Sequence, residues 1–86
     1  MTRHFQITLE GEIQRKGFRF HTFLAAQTFN LNGSVSIEED RIIINAEGGE
    51  ENLNGFIHWC RKGNGGKTTV HVIEKPPVYY NDFLIL

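Results

Sequence analysis

The stretch Ser34-Val35-Ser36-Ile37-Glu38-Glu39-Asp40-Arg41-Ile42-Ile43-Ile44-Asn45-Ala46-Glu47 decides the fold. In its first half Val35 and Ile37 fall on one side, with Ser34, Ser36 and Glu38 on the other. Glu39-Asp40 is a tight polar link, and Arg41 to Glu47 resumes the alternation with Ile42, Ile44 and Ala46 facing one way. A period of two on both sides of so short a link predicts an antiparallel hairpin.

Upstream of the hairpin, Phe18 to Phe29 reads as a helix that ends at Asn30-Leu31-Asn32-Gly33, residues suited to turns and left-handed conformations. Before it, Phe5 to Ile13 alternates, with Phe5, Ile7, Leu9, Gly11 and Ile13 on one side. That pattern predicts a strand in a sheet covered on one face only. Downstream, Gly48-Gly49 punctuates and Glu50 to Lys62 forms a second helix, whose stripe is Leu53, Phe56, Ile57 and Cys60. Glu50 and Glu51 in its first turn and Arg61 and Lys62 in its last both suit the helix dipole. Lys67 to Lys75 is a further strand stopped by Pro76-Pro77, and Val78 to Leu86 is a last extended piece. The order βαββαβ gives an α/β (α+β) sandwich. Its antiparallel sheet has four to five strands, with two helices on one face. One domain, residues 1–86, accounts for the whole sequence.

Composition excludes several functions. Nine Lys plus Arg against ten Asp plus Glu leave a net charge of −1, which argues against a nucleic-acid partner. Lys16-Gly17-Phe18-Arg19-Phe20 superficially resembles the aromatic core of an RNA-recognition motif, but it opens a helix after the first strand, and Arg41 to Glu47 holds no aromatic residue. The single cysteine permits no intrachain disulfide and no cysteine-held metal, and suits a reducing, cytoplasmic setting. No His pair has helical metal-ligand spacing, so no metal site is expected. No apolar run approaches membrane-spanning length, and the N-terminal residues have no apolar core of a signal segment.

The turn from the first strand into the first helix is the candidate site. Gln14, Arg15, Lys16, Gly17 and Phe18 lie where unpaired backbone N–H groups converge, and Gly17 supplies the conformational freedom for a nest. Arg19 stands in the first helical turn, where its guanidinium can pair with a phosphate or carboxylate. An ordinary surface turn with three cations has the same spacing, so spacing alone leaves both readings open. The helix also carries a second apolar stripe, Phe20, Phe23 and Leu24, nearly opposite the Phe18, Thr22, Ala25, Ala26 and Phe29 stripe. It predicts an exposed patch for self-association or a partner, unless the C-terminal segment folds over it.

Ile13-Gln14-Arg15-Lys16-Gly17-Phe18-Arg19 resembles the Val-Gln-Gly-Val-x-Phe-Arg signature of the acylphosphatase family. Leu31-Asn32-Gly33-Ser34-Val35, Ala46-Glu47-Gly48, Phe56 to Gly63 and Phe83 resemble further family elements in the same order. The resemblance implies a ferredoxin-like sandwich and hydrolysis of small acyl phosphates with no metal and no cofactor. The partner would then be a small phosphorylated carboxylic acid or inorganic phosphate, cradled by Gln14 to Phe18 and held by Arg19. It also exposes departures. The family's first loop glycine is Arg15 here and its valine is Lys16. The position of its water-orienting asparagine is Ile37, which has no polar atom. Asn45, Asn32 and Ser36 are nearby polar residues, and none falls at the matching position. The resemblance therefore implies either an enzyme of impaired activity or a silent anion-binding or interaction module.

Overall fold

The computed structural model describes residues 1–11, 17–62 and 68–86. The elements are β1 (Arg3–Gly11), α1 (Phe18–Thr28), β2 (Asn32–Glu38), β3 (Arg41–Gly48), α2 (Glu50–Lys62), β4 (Thr68–Lys75) and β5 (Phe83–Ile85). They build one sheet in the order β4-β1-β3-β2-β5. β1 runs antiparallel to both β3 and β4, and β2 pairs antiparallel with β3 through the expected hairpin. Its link places Glu39 at φ 54°, the left-handed geometry that a two-residue hairpin turn demands. The last segment departs from the sequence expectation in two ways. Only Phe83–Ile85 is strand, and it pairs with β2 in parallel, which makes the sheet mixed.

The alternation fixes which face is covered. Phe5, Ile7 and Leu9 of β1 stand opposite Ala46, Ile44 and Ile42 of β3, and all six are buried. Val35 continues this layer across β2, and Ile37 packs against its margin. α2 closes it with Leu53, Phe56, Ile57 and Cys60, and α1 with Phe18, Thr22, Ala25 and Ala26. The two alanines let α1 approach closely, and Phe29, just past the helix end, packs edge-on against Phe56. Burial of each large apolar side chain in this layer stabilises the fold by about 1.5–3 kcal/mol.

The second stripe of α1 is only partly exposed. Phe20 and Leu24 are exposed, but Phe23 is half-buried, because β5 brings Phe83 to 6.3 Å from its ring. The C-terminal segment therefore covers part of the expected patch. Gly33 shows why glycine is needed at the start of β2. It has φ 146°, and a Cβ there would run into the backbone oxygen of Asn45.

Candidate functional site

The residues upstream of α1 set up its N-terminus. Gly17 caps the helix at φ 75° and ψ 0°, a left-handed conformation open to glycine at little cost. Among the described residues no side chain caps this end, and no acidic residue occupies the first turn. By helix geometry the amides of Phe18, Arg19 and Phe20 have no acceptor within the helix, so they and the helix dipole favour an anion here. His21 closes the first turn by donating its amide to the Gly17 oxygen at 2.9 Å, and its ring lies beside Gly17. Gln14, Arg15 and Lys16, the rest of the expected cradle, lie outside the described residues.

Arg19 is exposed, and its guanidinium donates from Nη1 to the main-chain oxygen of Leu86 at 2.8 Å. β5 makes that contact possible, since Leu86 donates its own amide to the Val35 oxygen at 2.9 Å. Phe18 is buried against the core, with its ring 6.4 Å from that of Trp59, so it anchors the turn by packing. Ile37 lies on the helix-covered face two residues beyond Val35 and packs against the core margin. Ser36 and Asn45 lie on the opposite face of the sheet. Asn45 bonds His4 there, its Oδ1 2.9 Å from Nε2. Asn32 also faces that way and donates to the Tyr80 oxygen at 3.1 Å. The sheet therefore separates all three polar neighbours from the Arg19 face.

The structure shows a second polar cluster that sequence reasoning missed. His4 and Glu47 are both buried on the uncovered face. Glu47 accepts the amide N–H groups of Val78, Tyr79 (3.1 Å) and Tyr80 (2.8 Å). His4 Nδ1 lies 3.5 Å from the carboxylate and 3.2 Å from the Pro76 oxygen. Burial alone would raise the Glu47 pKa, but the three backbone donors and the attraction of His4 outweigh it and hold the carboxyl below its usual range. In the sequence His4 stands alone, and Glu47 appears only within the family element Ala46-Glu47-Gly48, with no role attached to it. Neither carries a period, because their meeting depends on strand register.

Among the other described titratable groups, Arg3 pairs with Glu50 at 2.9 Å and Glu74 at 2.7 Å on the surface. Burial pushes the Cys60 thiol up to about 12, so it stays protonated and unreactive in the core. Glu38, Glu39 and Asp40 are exposed at the hairpin end. Among the described residues no three His, Cys, Asp or Glu side chains are placed to hold a metal, and no helix is long and apolar enough to cross a membrane.

The acylphosphatase family model matches residues 5–84. This chain belongs to the acylphosphatase family. An acylphosphatase of Thermotoga petrophila is 35% identical over 83 residues, which cover 93% of this chain and 92% of the relative. That of Syntrophus aciditrophicus is 31% identical over all of this chain and 94% of its own. Among solved structures, the acylphosphatase from Bacillus subtilis superposes with a TM-score of 0.88 at 30% identity, covering 100% of this chain and 99% of that one. Full-length HypF in its phosphate- and nucleotide-bound form contains a similar unit, with TM-score 0.88 and 28% identity over 12% of its chain. The ferredoxin-like sandwich expected for an acylphosphatase is thus the fold this family member adopts.

Proposed function

We propose that the chain holds the phosphoryl group of a small acyl phosphate at the start of α1 and hydrolyses it slowly. The observation that carries this reading is Arg19, exposed in the first turn behind left-handed Gly17, at the position of the family's phosphate-binding arginine. In the reaction a water oxygen attacks phosphorus, the bond from phosphorus to the carboxyl oxygen breaks, and carboxylate and inorganic phosphate leave. The departing carboxylate is a weak base, so no general acid is needed and positioning supplies most of the acceleration. In this reading the amides of Phe18 and Arg19, with Gln14, Arg15, Lys16 and Gly17, receive the phosphoryl oxygens. The Arg19 guanidinium offsets their charge.

Slowness follows from Ile37. The side chain at the water-orienting position has no hydrogen-bonding atom and packs against the core. Loss of one preorganised polar contact to a reacting group costs about 10²–10³ in rate. Asn45 and Ser36 face away from Arg19 across the sheet and are unsuited to replace it. The same observation favours a second reading, a silent member that keeps the anion cradle as a binding module. Hydrolysis of a model acyl phosphate by the purified protein, beside a titration with inorganic phosphate, separates the two. Slow turnover with phosphate binding supports the first, and binding with no turnover supports the second. Absence of both removes the site. Phosphate should move the amide resonances from Arg15 to Phe20 selectively, and uniform shifts would count against the cradle.

A further inference from the structure

The segment 76–82 leaves β4 at one edge of the sheet and enters β5 at the other. Four strand spacings of about 4.8 Å separate those edges, roughly 19 Å in all. Extended chain from residue 75 to residue 83 reaches roughly 26 Å, so the segment crosses with little slack. It passes over the uncovered face, and each strand beneath it supplies one side-chain hold. His4 of β1 meets the Pro76 oxygen, and Glu47 of β3 takes the amides of Val78, Tyr79 and Tyr80. Asn32 of β2 holds the Tyr80 oxygen, and the Gly33 amide then donates to the Asp82 oxygen at 2.9 Å. His4, Glu47 and Asn32 form one cross-strand row, since Glu47 is the register partner of both others. Tyr79 adopts φ 62°, the left-handed step that turns successive amides toward one anion. Here the anion is the protein's own carboxylate.

Glu47 is the central hold and the only one of the three side chains to take more than one backbone group of the strap. Beyond the strap, β5 aligns Gly33 with Phe83 and Val35 with Ile85, and the next residue presents its oxygen to Arg19. The geometry points to Glu47 as a positioning residue for Arg19: by fixing the strap it sets β5 in register, so that Leu86 steadies the guanidinium on the other side of the sheet. Glu47 touches no substrate in this arrangement. A guanidinium pinned through one N–H keeps its other donors oriented, whereas a loose one must be ordered each time an anion binds. The proposal rests on Arg19 as the anion-binding group, yet its first readout needs no anion.

Nuclear magnetic resonance of Glu47→Ala and Glu47→Gln tests it, read at the Arg19 Nε–H and at the backbone amides. In Glu47→Ala, the Val78 to Tyr80 amides should exchange faster and the Leu86 amide should shift. The Arg19 Nε–H should shift and exchange faster too, while Ile7 and Ile44 stay protected. Affinity for inorganic phosphate should fall roughly threefold to tenfold, the scale of a lost preorganisation. Glu47→Gln keeps a carbonyl acceptor and should restore part of both signals. Should Glu47→Ala fail to fold, Asn32→Ala loosens the same strap from an exposed position and should move the Arg19 signal in the same direction. An unchanged Arg19 Nε–H in a folded variant whose strap amides have been freed would overturn the proposal. An altered Arg19 signal in a protein that never binds phosphate would instead sink the anion-site reading and leave the coupling standing.

Discussion

The two faces of the sheet carry two charged side chains in opposite settings, one exposed and one buried. Arg19, on the covered face at the helix start, is exposed, and among the described residues it donates to the Leu86 oxygen at 2.8 Å. Glu47, on the uncovered face under the strap, is buried and receives three backbone N–H groups. A charge with spare donors and open access can take up a ligand. A charge whose acceptors are already filled by the chain is committed to holding that chain in place. The contrast teaches that burial and a depressed pKa do not by themselves mark an active group.

The largest test of this contrast is removal of the satisfied charge. Glu47→Ala leaves three strap amides without their acceptor, and should lower the unfolding free energy by about 3 kcal/mol in denaturant titration. The pH dependence has a definite sign. The folded pKa of Glu47 lies below its ordinary value of 4.5, so its contribution is complete above that value and is lost as pH falls through the lower folded one. Wild-type stability should therefore decline on acidification below about pH 4.5, and Glu47→Gln should flatten that part of the curve. A variant as stable as wild type with unchanged acid sensitivity would break the comparison at its buried end.

Removal of the exposed charge should act on binding and not on folding. Arg19→Ala should weaken inorganic phosphate binding by about 1.5–3 kcal/mol, the range for hydrogen bonds to charged groups, with little change in thermal midpoint. Calorimetric titration and a melting curve measure the two quantities side by side. Should the melting point fall while phosphate affinity holds, Arg19 would belong with Glu47 as a structural charge.

Ile37→Asn sharpens the reading of the exposed end. Restoring an amide where water must be oriented should raise kcat for a model acyl phosphate at least tenfold, about 1.4 kcal/mol, with phosphate affinity unchanged. Some stability should be lost, because Ile37 packs against the core margin. A folded variant with no gain would assign the slow step to the Arg15–Lys16 substitutions in the loop.

The smallest expected effect concerns the apolar remainder of α1. Phe20 and Leu24 stay exposed after β5 has taken Phe23. Self-association through Phe20, Phe23 and Leu24 is therefore proposed as weak. Sedimentation at high concentration should give a slightly raised average mass for wild type and a monomer for Phe23→Glu. Two identical monomers would remove the patch from consideration.

Local patterns in the sequence determined the covered half of this molecule. Alternation in Phe5 to Leu9 and in Arg41 to Glu47, and the stripe Leu53, Phe56, Ile57 and Cys60, are short-range periods that burial on one face imposes residue by residue. They determined the element order, the core and the position of Arg19 at a helix start. Tertiary structure alone decided what depends on register and on chain crossing. The parallel entry of β5, the half-burial of Phe23, and the meeting of His4, Glu47 and Asn32 beneath the strap involve residues far apart in the chain. No local period encodes them, because a buried polar group is placed by partners that arrive from other strands, and only the folded sheet brings those partners together.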